Sequence, residues 1–385
     1  MAIIDRFTIK SILTGCVIGV IQGLMLTLLQ PQLAIQLMLV GFVLVLMLKR
    51  AEFGLLLIVL LTSTVFEEKS LVVMDLMFRW YATDLLLIFL FLTLVIRALV
   101  DREFHYNWTV LDVPLLAFLG LVVISTVATA MKTGINFELA LPELRTLGYY
   151  SIFFLTTNLI RSEKQINTLS QGLLILAFVV AVFMIVQFGV GTSQRILPGR
   201  VESLATSGSR VSDVVRITNF SGESLVLAGA IVLTAILFLS EKRTGSWWYL
   251  FLWLVINTGL MLTFNRNFWV AMALVTGLII WMASQSQRGH IVRVMFVLSI
   301  CIGLAYAITA SLPGTQVNRF VNGTINRMES LVNGRAFDSD ETLAWRNFEY
   351  EYGLPEIETA PVLGIGPGSL YRPYLSDIDI ETVEA

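Results

Sequence analysis

A short polar turn between two long apolar runs carries a single placed charge, Arg266. The turn spans residues 262–269 and reads LTFNRNFW. The flanking runs, 247–262 and 268–283, have the length and polarity of membrane-spanning helices. An arginine at such a helix junction either anchors the helix at the interface or forms a fixed anion site, because its planar guanidinium stays charged and matches phosphate oxygens. Position alone leaves both interpretations open.

Other arginines fall in segments predicted to lie on the same side, where Lys69 and Lys132 are the lysines. This set contains Arg79, Arg145, Arg195, Arg200, Arg210, Arg216, Arg266, Arg319, Arg327, Arg335, Arg346 and Arg372. A general preference of the chain for arginine would explain this set. It also suits an anionic ligand such as a lipid pyrophosphate, since a charged hydrogen bond contributes roughly 1.5–3 kcal/mol.

The composition defines the class of protein. Hydrophobic residues make up 56% of the chain and charged residues 14%, which is too apolar for a soluble domain of this length. A net charge of −2 argues against a nucleic-acid partner. The two cysteines lie inside apolar runs, and the two histidines are far apart, so we expect no disulfide, no metal and no cofactor. The sequence therefore predicts a multi-pass membrane protein.

Hydropathy predicts an all-α transmembrane bundle of about eleven spans. The predicted spans are 11–29, 33–48, 53–66, 84–100, 111–131, 147–160, 167–189, 220–240, 247–263, 268–285 and 294–311. The runs 53–66 and 147–160 are short for a span, so we expect each of them to be tilted, broken or partly interfacial.

Short basic connections set the expected topology. Every connection assigned to the cytoplasm carries a basic pair, as the positive-inside rule requires. These pairs are Lys49/Arg50, Arg97/Arg102, Arg161/Lys164, Lys242/Arg243 and Arg288/Arg293. We therefore expect a cytoplasmic N-terminus, a transmembrane domain over 1–311 with an external loop at 190–219, and an external region over 312–385. Within that region, residues 338–351 are predicted to be helical.

Three stretches resemble the O-antigen ligase and polysaccharide polymerase family of bacterial membrane proteins. Residues 216–220 (RITNF) are similar to that family's pattern of arginine, small polar residue and phenylalanine at the head of a span. Residues 263–267 (TFNRN) are similar to its Thr-x-Ser-Arg-Gly turn, with asparagine in place of serine and glycine. Residues 361–368 (PVLGIGPG), preceded by Trp345-Arg346, are close to its Pro-Leu-x-Gly-x-Gly-x-Gly signature.

This resemblance implies an enzyme of the bacterial inner membrane. Members transfer a glycan from an undecaprenyl-pyrophosphate carrier to a polysaccharide or lipid acceptor at the outer face, without metal or nucleotide. Carried over by residue, Arg216 and Arg266 would hold the pyrophosphate as it leaves. Arg145 and Arg346 are further substrate-binding candidates. Asp84 either orients an arginine or serves only as a carboxylate at a helix N-terminus.

Gly364, Gly366 and Gly368 are also substrate-binding candidates through the resemblance. From the residues alone, such glycines form a tight turn. A nucleotide-binding loop is excluded because the third glycine comes one residue early, Pro367 interrupts the pattern and no β-α unit precedes it.

The family's general base, a histidine beyond the glycine signature, has no counterpart here. We expect that the chain is an incomplete version of the protein and that this histidine lies beyond Ala385. The alternative is that a carboxylate such as Glu223 or Glu349 is the base.

Two other functions fit the sequence less well. A transporter or flippase of lipid-linked sugars would place ionisable residues within its spans and would show an internal repeat, and the sequence shows little of either. A non-catalytic membrane scaffold would leave the external arginines and the long external region without a role.

Overall fold

The computed structural model describes residues 41–63, 72–75, 79–132, 137–191, 200–203, 215–218, 220–239, 246–294, 315–332 and 341–371, except 44, 286, 290 and 370, and also 194, 196 and 307. Their architecture is a helical bundle. The helices are α1 Ala51–Thr62, α2 Ala82–Val100, α3 Asp112–Lys132, α4 Phe137–Gly148, α5 Ile152–Leu159, α6 Glu163–Val190, α7 Phe220–Leu239, α8 Ser246–Leu262, α9 Arg266–Met282, α10 Gln316–Val332 and α11 Glu341–Thr359.

Two short antiparallel β-hairpins interrupt the predicted all-α fold. The first pairs β1 (Val72–Asp75) with β2 (Arg79–Tyr81), and the second pairs β3 (Arg200–Ser203) with β4 (Val215–Thr218). The predicted helical fold is confirmed for most of the described residues, and the two hairpins are short exceptions in predicted external segments. Both contain β-branched residues, which favour extended backbone, and neither carries a helical apolar stripe.

Four described helices are long and apolar enough to cross a membrane: Ala82–Val100, Asp112–Met131, Glu163–Val190 and Gly222–Leu239. Three shorter apolar helices accompany them: Ala51–Thr62, Trp248–Leu262 and Arg266–Met282. The predicted total of about eleven spans is not confirmed. The span 11–29 lies outside the described residues, as do the first part of 33–48 and most of 294–311.

Two predicted helices have different boundaries in the structure. The run 147–160 is broken, since α4 ends at Gly148, a 3-10 turn covers Tyr149–Ser151 and α5 has eight residues. The helix predicted over 338–351 is α11, which continues past Glu351 to Thr359. Pro355 lies inside α11 and removes one backbone donor without ending the helix there.

The tightest packing lies between α6, α7 and α8, where small residues let the backbones approach. A Cβ added to Gly229 would lie 2.6 Å from the Cβ of Ala177, and one added to Gly259 would lie 2.8 Å from the Cβ of Ala181. Close approach through small residues is how helices associate in a membrane, where there is no hydrophobic force between them. A second cluster packs α1, α2 and α5 around Leu55, Leu90 and Leu155.

The bundle has two chemically different ends. At the Arg97 end, the Arg97 guanidinium donates to the carbonyls of Leu48 (3.2 Å) and Leu159 (3.3 Å). Arg161 lies at the same end and donates to the carbonyl of His105 over 2.7 Å. The opposite end, called the Arg266 end below, holds the first turn of α2, the last turn of α6, the α8–α9 turn and the first turn of α7. The helix directions thus gather the described site candidates at one end.

Candidate functional site

The turn between α8 and α9 is fixed by a buried aromatic side chain. Phe264 has a φ of +50° and is only 2% exposed. Its ring packs against Trp269, with ring centroids 6.2 Å apart, and against Phe320 of α10, at 5.8 Å. A left-handed conformation is uncommon for a bulky residue, so tertiary packing holds the backbone in this geometry. Thr263 donates its hydroxyl to the Leu260 carbonyl over 2.8 Å and thereby closes the end of α8.

Asn265 links this turn to the first turn of α7. Its side-chain oxygen accepts from the Asn267 backbone N–H at 3.2 Å, which caps the N-terminus of α9. Its Nδ2 donates to Glu223 Oε2, also at 3.2 Å. Glu223 is 2% exposed, so its carboxylate is placed inside the bundle. Nothing in the sequence pattern, where Asn265 replaces the family's serine, indicates this contact.

Arg266 is the first residue of α9 and is partly buried. Its neighbours define its position, since Asn267 faces solvent while Trp269 is buried and donates its indole N–H to the Leu260 carbonyl at 3.4 Å. The N-terminal turn of a helix also presents backbone N–H groups and the positive end of the helix dipole. A guanidinium at this position adds to a potential that favours an anion.

A second arginine is held by an ion pair at the same end. Arg145 Nε donates to Asp84 Oδ1 at 2.7 Å, and Arg145 Nη2 donates to the Thr83 hydroxyl at 3.3 Å. The guanidinium also stacks over the Tyr81 ring at 3.9 Å from its centroid. Tyr149 donates its hydroxyl to the same Asp84 oxygen at 3.0 Å. This cluster joins α2, α4 and the 3-10 turn.

Asp84 has both of the roles that the sequence left open. Its Oδ2 accepts from the Tyr81 backbone N–H at 3.0 Å and forms the capping box of α2, while its Oδ1 orients Arg145. These two contacts account for the position of the Asp84 carboxylate without a bound ligand. Substrate binding by Asp84 and Arg145 stays a prediction.

The glycine segment, residues 361–369, packs between α3 and α4. Gly364, Gly366 and Gly368 have φ values of +65°, +84° and +74°, a region that favours glycine. Gly368 donates its backbone N–H to Glu143 Oε2 at 3.2 Å. The turn-forming role expected of these glycines agrees with their backbone geometry, and substrate binding by them stays a prediction.

The remaining candidates lie partly outside the described residues. Arg216 lies in β4 opposite Glu202, and Arg346 lies in α11, but neither side chain is among those described. Glu349 of α11 accepts a hydrogen bond from the Tyr371 hydroxyl. The expected histidine base beyond Ala385 lies outside the described residues and stays a prediction.

Comparison with known protein families gives a match in the second part of the chain. The O-antigen ligase family matches residues 250–383, which include most of α8, the Arg266 turn, α9, α10, α11 and the glycine segment. The chain is similar to this family over residues 250–383, which are called the O-antigen ligase domain below. The motif resemblance noted in the sequence is thereby confirmed for the turn and for the glycine signature. No curated protein and no solved structure matches the chain.

The O-antigen ligase domain covers roughly a third of the 385 residues. Asp84, Arg145, Arg216 and Glu223 all precede it. In the structure, however, Asn265 of the domain contacts Glu223, and the glycine segment of the domain contacts α3 and α4. Together with the apolar helices, this match establishes a bacterial membrane protein with a glycan-handling role of the ligase or polymerase type.

Proposed function

We propose that this protein transfers a glycan from an undecaprenyl-pyrophosphate carrier to an acceptor hydroxyl at the outer face of the cytoplasmic membrane. The observation that carries the proposal is the placement of Arg266 at the first residue of α9, inside the O-antigen ligase domain. The acceptor is a polysaccharide or a lipid. The Arg266 end would face the periplasm.

The reaction forms one bond and breaks one bond. The acceptor oxygen bonds to the anomeric carbon of the donor glycan as the bond from that carbon to the pyrophosphate oxygen breaks. The acceptor proton passes to a base, and undecaprenyl pyrophosphate leaves. Negative charge grows on the leaving oxygen in the transition state, so a fixed positive group at that oxygen accelerates the reaction.

Arg266 fits this role because the surrounding contacts fix its backbone. Phe264 is buried on one side of it, the cap from Asn265 orders the first turn of α9, and Glu223 holds the cap. Preorganised charge is more effective than mobile charge because no reorganisation is needed during the reaction. Arg216 is the second proposed catalytic arginine. Arg145, Arg346 and the three glycines are the proposed substrate-binding groups.

Two carboxylates are available to test as the base. Glu223 is buried and accepts from Asn265, whereas Glu349 accepts from Tyr371 on the external part of the chain. Either contact orients a carboxylate, which a general base requires.

Deletion of the gene tests the proposal against the flippase alternative. Transfer at the outer face predicts that the lipid-linked glycan accumulates where an impermeant glycosidase, added to spheroplasts, removes it. A flippase predicts accumulation of the same glycan in a form that resists the enzyme until the membrane is permeabilised. Protected accumulation, or no accumulation of a lipid-linked glycan, would overturn the proposed function.

A further inference from the structure

Two hydroxyl groups of α3 bind the backbone of the glycine segment. Ser125 Oγ donates to the Leu363 carbonyl, and Thr129 Oγ1 donates to the Ile365 carbonyl at 2.8 Å. They lie one helical turn apart and therefore on the same face of α3. Each is 8% exposed, although α3 is otherwise largely exposed, as its 60% exposed Val123 shows. The buried polar stripe of this apolar helix thus faces the glycine segment.

Two of the three glycines fit this surface so closely that no side chain has room. A Cβ added to Gly366 would lie 2.0 Å from Thr129 Oγ1, and one added to Gly368 would lie 2.8 Å from the backbone nitrogen of Ala140 in α4. Gly364 differs, because the nearest heavy atom to its added Cβ is 4.0 Å away. Its positive φ requires glycine, whereas Gly366 and Gly368 are also restricted by contact with α3 and α4.

From these contacts we infer that α3 and α4 form a seat that positions the glycine segment, with Ser125 and Thr129 as positioning residues for transfer. The seat residues lie outside the O-antigen ligase domain, whereas the segment belongs to it. The segment directly follows α11, and the Gly364 N–H bonds to the Ala360 carbonyl at 2.9 Å. The seat therefore also fixes the C-terminal end of α11, the helix that contains Arg346.

A neighbouring threonine provides a matched control. Thr126 also lies on α3, but its hydroxyl donates to the Val122 carbonyl within the same helix, at 2.7 Å. Thr126→Val and Thr129→Val remove the same chemical group from adjacent positions of one helix. Only Thr129→Val removes a contact with the glycine segment. A general effect of valine on α3 would therefore change the labelling rate equally in both variants.

The rate of cysteine labelling tests whether the seat holds the glycine segment, and this test needs no substrate. In a background lacking Cys16 and Cys301, a cysteine replaces Ile365, which is partly buried, or Val362, which is 80% exposed. Thr129→Val should raise the labelling rate at 365 at least about fivefold, the effect of losing one hydrogen bond of about 1 kcal/mol. Thr126→Val should leave that rate unchanged, and the rate at 362 should stay high throughout. An unchanged rate at 365 in Thr129→Val would overturn the seat.

Transfer is measured by complementation of the deletion strain and rests on the proposed function. We expect Thr129→Val to lower transfer about fivefold at normal protein level, Thr129→Ser to restore it and Thr126→Val to match the wild type. Faster labelling with normal transfer would overturn the positioning role. If wild-type protein restores no transfer while labelling still responds to Thr129→Val, the proposed function fails and the seat stands.

The glycine pair gives a second test that does not depend on the hydroxyl. Gly364→Ala and Gly366→Ala impose a similar left-handed strain, but only the second adds a methyl group against Thr129. Labelling at 365 should therefore rise more in Gly366→Ala than in Gly364→Ala. Equal labelling in the two variants would contradict the close seat at Gly366.

Discussion

Asn265 and Glu223 are joined by a side-chain hydrogen bond of 3.2 Å that ties the start of α9 to the start of α7. The same asparagine caps α9 through its other side-chain atom. Serine, the residue of the family pattern at this position, could provide the cap, but its shorter side chain lacks an amide donor. The pair is therefore a specific feature of this chain that acts on the position of Arg266.

Substitutions at Glu223 separate a base from a positioning group. If Glu223 positions the turn, Glu223→Gln should retain most transfer because its amide oxygen still accepts from Asn265. Glu223→Ala should lose transfer, since it leaves the Asn265 amide without this acceptor, at a cost of about 1–3 kcal/mol. We expect this pattern in the complementation assay. Equal loss in both variants would assign Glu223 as the base.

A double-mutant cycle measures the Asn265 and Glu223 interaction directly. Asn265→Ser keeps the cap and removes the amide donor, so its effect on the free energy of unfolding should not add to that of Glu223→Ala. We expect a coupling energy of about 0.5–3 kcal/mol from unfolding in detergent micelles. Asn267→Ala is the control, because Asn267 takes part in the cap through its backbone N–H. Additive effects of the first pair would contradict the contact.

Replacing Arg266 by lysine tests an anion site against an interfacial anchor. Lysine supplies the long stem and charge that an anchor needs, but it lacks the planar fork that binds phosphate at two points. We expect Arg266→Lys to insert normally and to lose about 10²–10³-fold in transfer rate from a defined lipid-linked donor. Arg293→Lys, near the Arg97 end, should retain wild-type transfer. Near wild-type turnover by Arg266→Lys would remove Arg266 from the active site.

The Asp84 and Arg145 ion pair should contribute to stability without any substrate. Its side chains are 13% and 25% exposed, so solvent screens the pair only in part. Asp84→Ala removes the acceptor of Arg145 Nε and of the Tyr149 hydroxyl, and we expect it to destabilise the protein by about 1.5–3 kcal/mol. Thermal unfolding in micelles measures this effect. Glu163→Gln, an exposed acid in the first turn of α6, should change stability much less.

Labelling with an impermeant thiol reagent tests the proposed orientation in the membrane. A cysteine at position 350, exposed on α11, should react in intact spheroplasts because α11 belongs to the proposed external region. A cysteine at the exposed position 103, near the Arg97 end, should react only after permeabilisation. The reverse pattern would invert the topology and place Arg266 at the cytoplasmic face.

The sequence by itself determined the class of protein, the approximate course of many helices and the motifs of the O-antigen ligase domain. These features depend on hydropathy and on residues close together in the chain, such as the polar turn between α8 and α9. The sequence patterns did not predict the two β-hairpins. They also predicted that the α11 helix ends at Glu351, whereas it continues to Thr359. Both depend on local backbone preferences that weak patterns describe poorly.

Only the tertiary structure decided which distant residues meet. Asn265 lies 42 positions from Glu223, Arg145 lies 61 from Asp84, and Ile365 lies 236 from Thr129. Hydropathy gives the length of an apolar helix but says little about which neighbour it packs against, because nearly all of its faces are apolar. The partners of Glu223, Arg145 and the glycine segment therefore follow from helix packing, which brings these groups together at the Arg266 end.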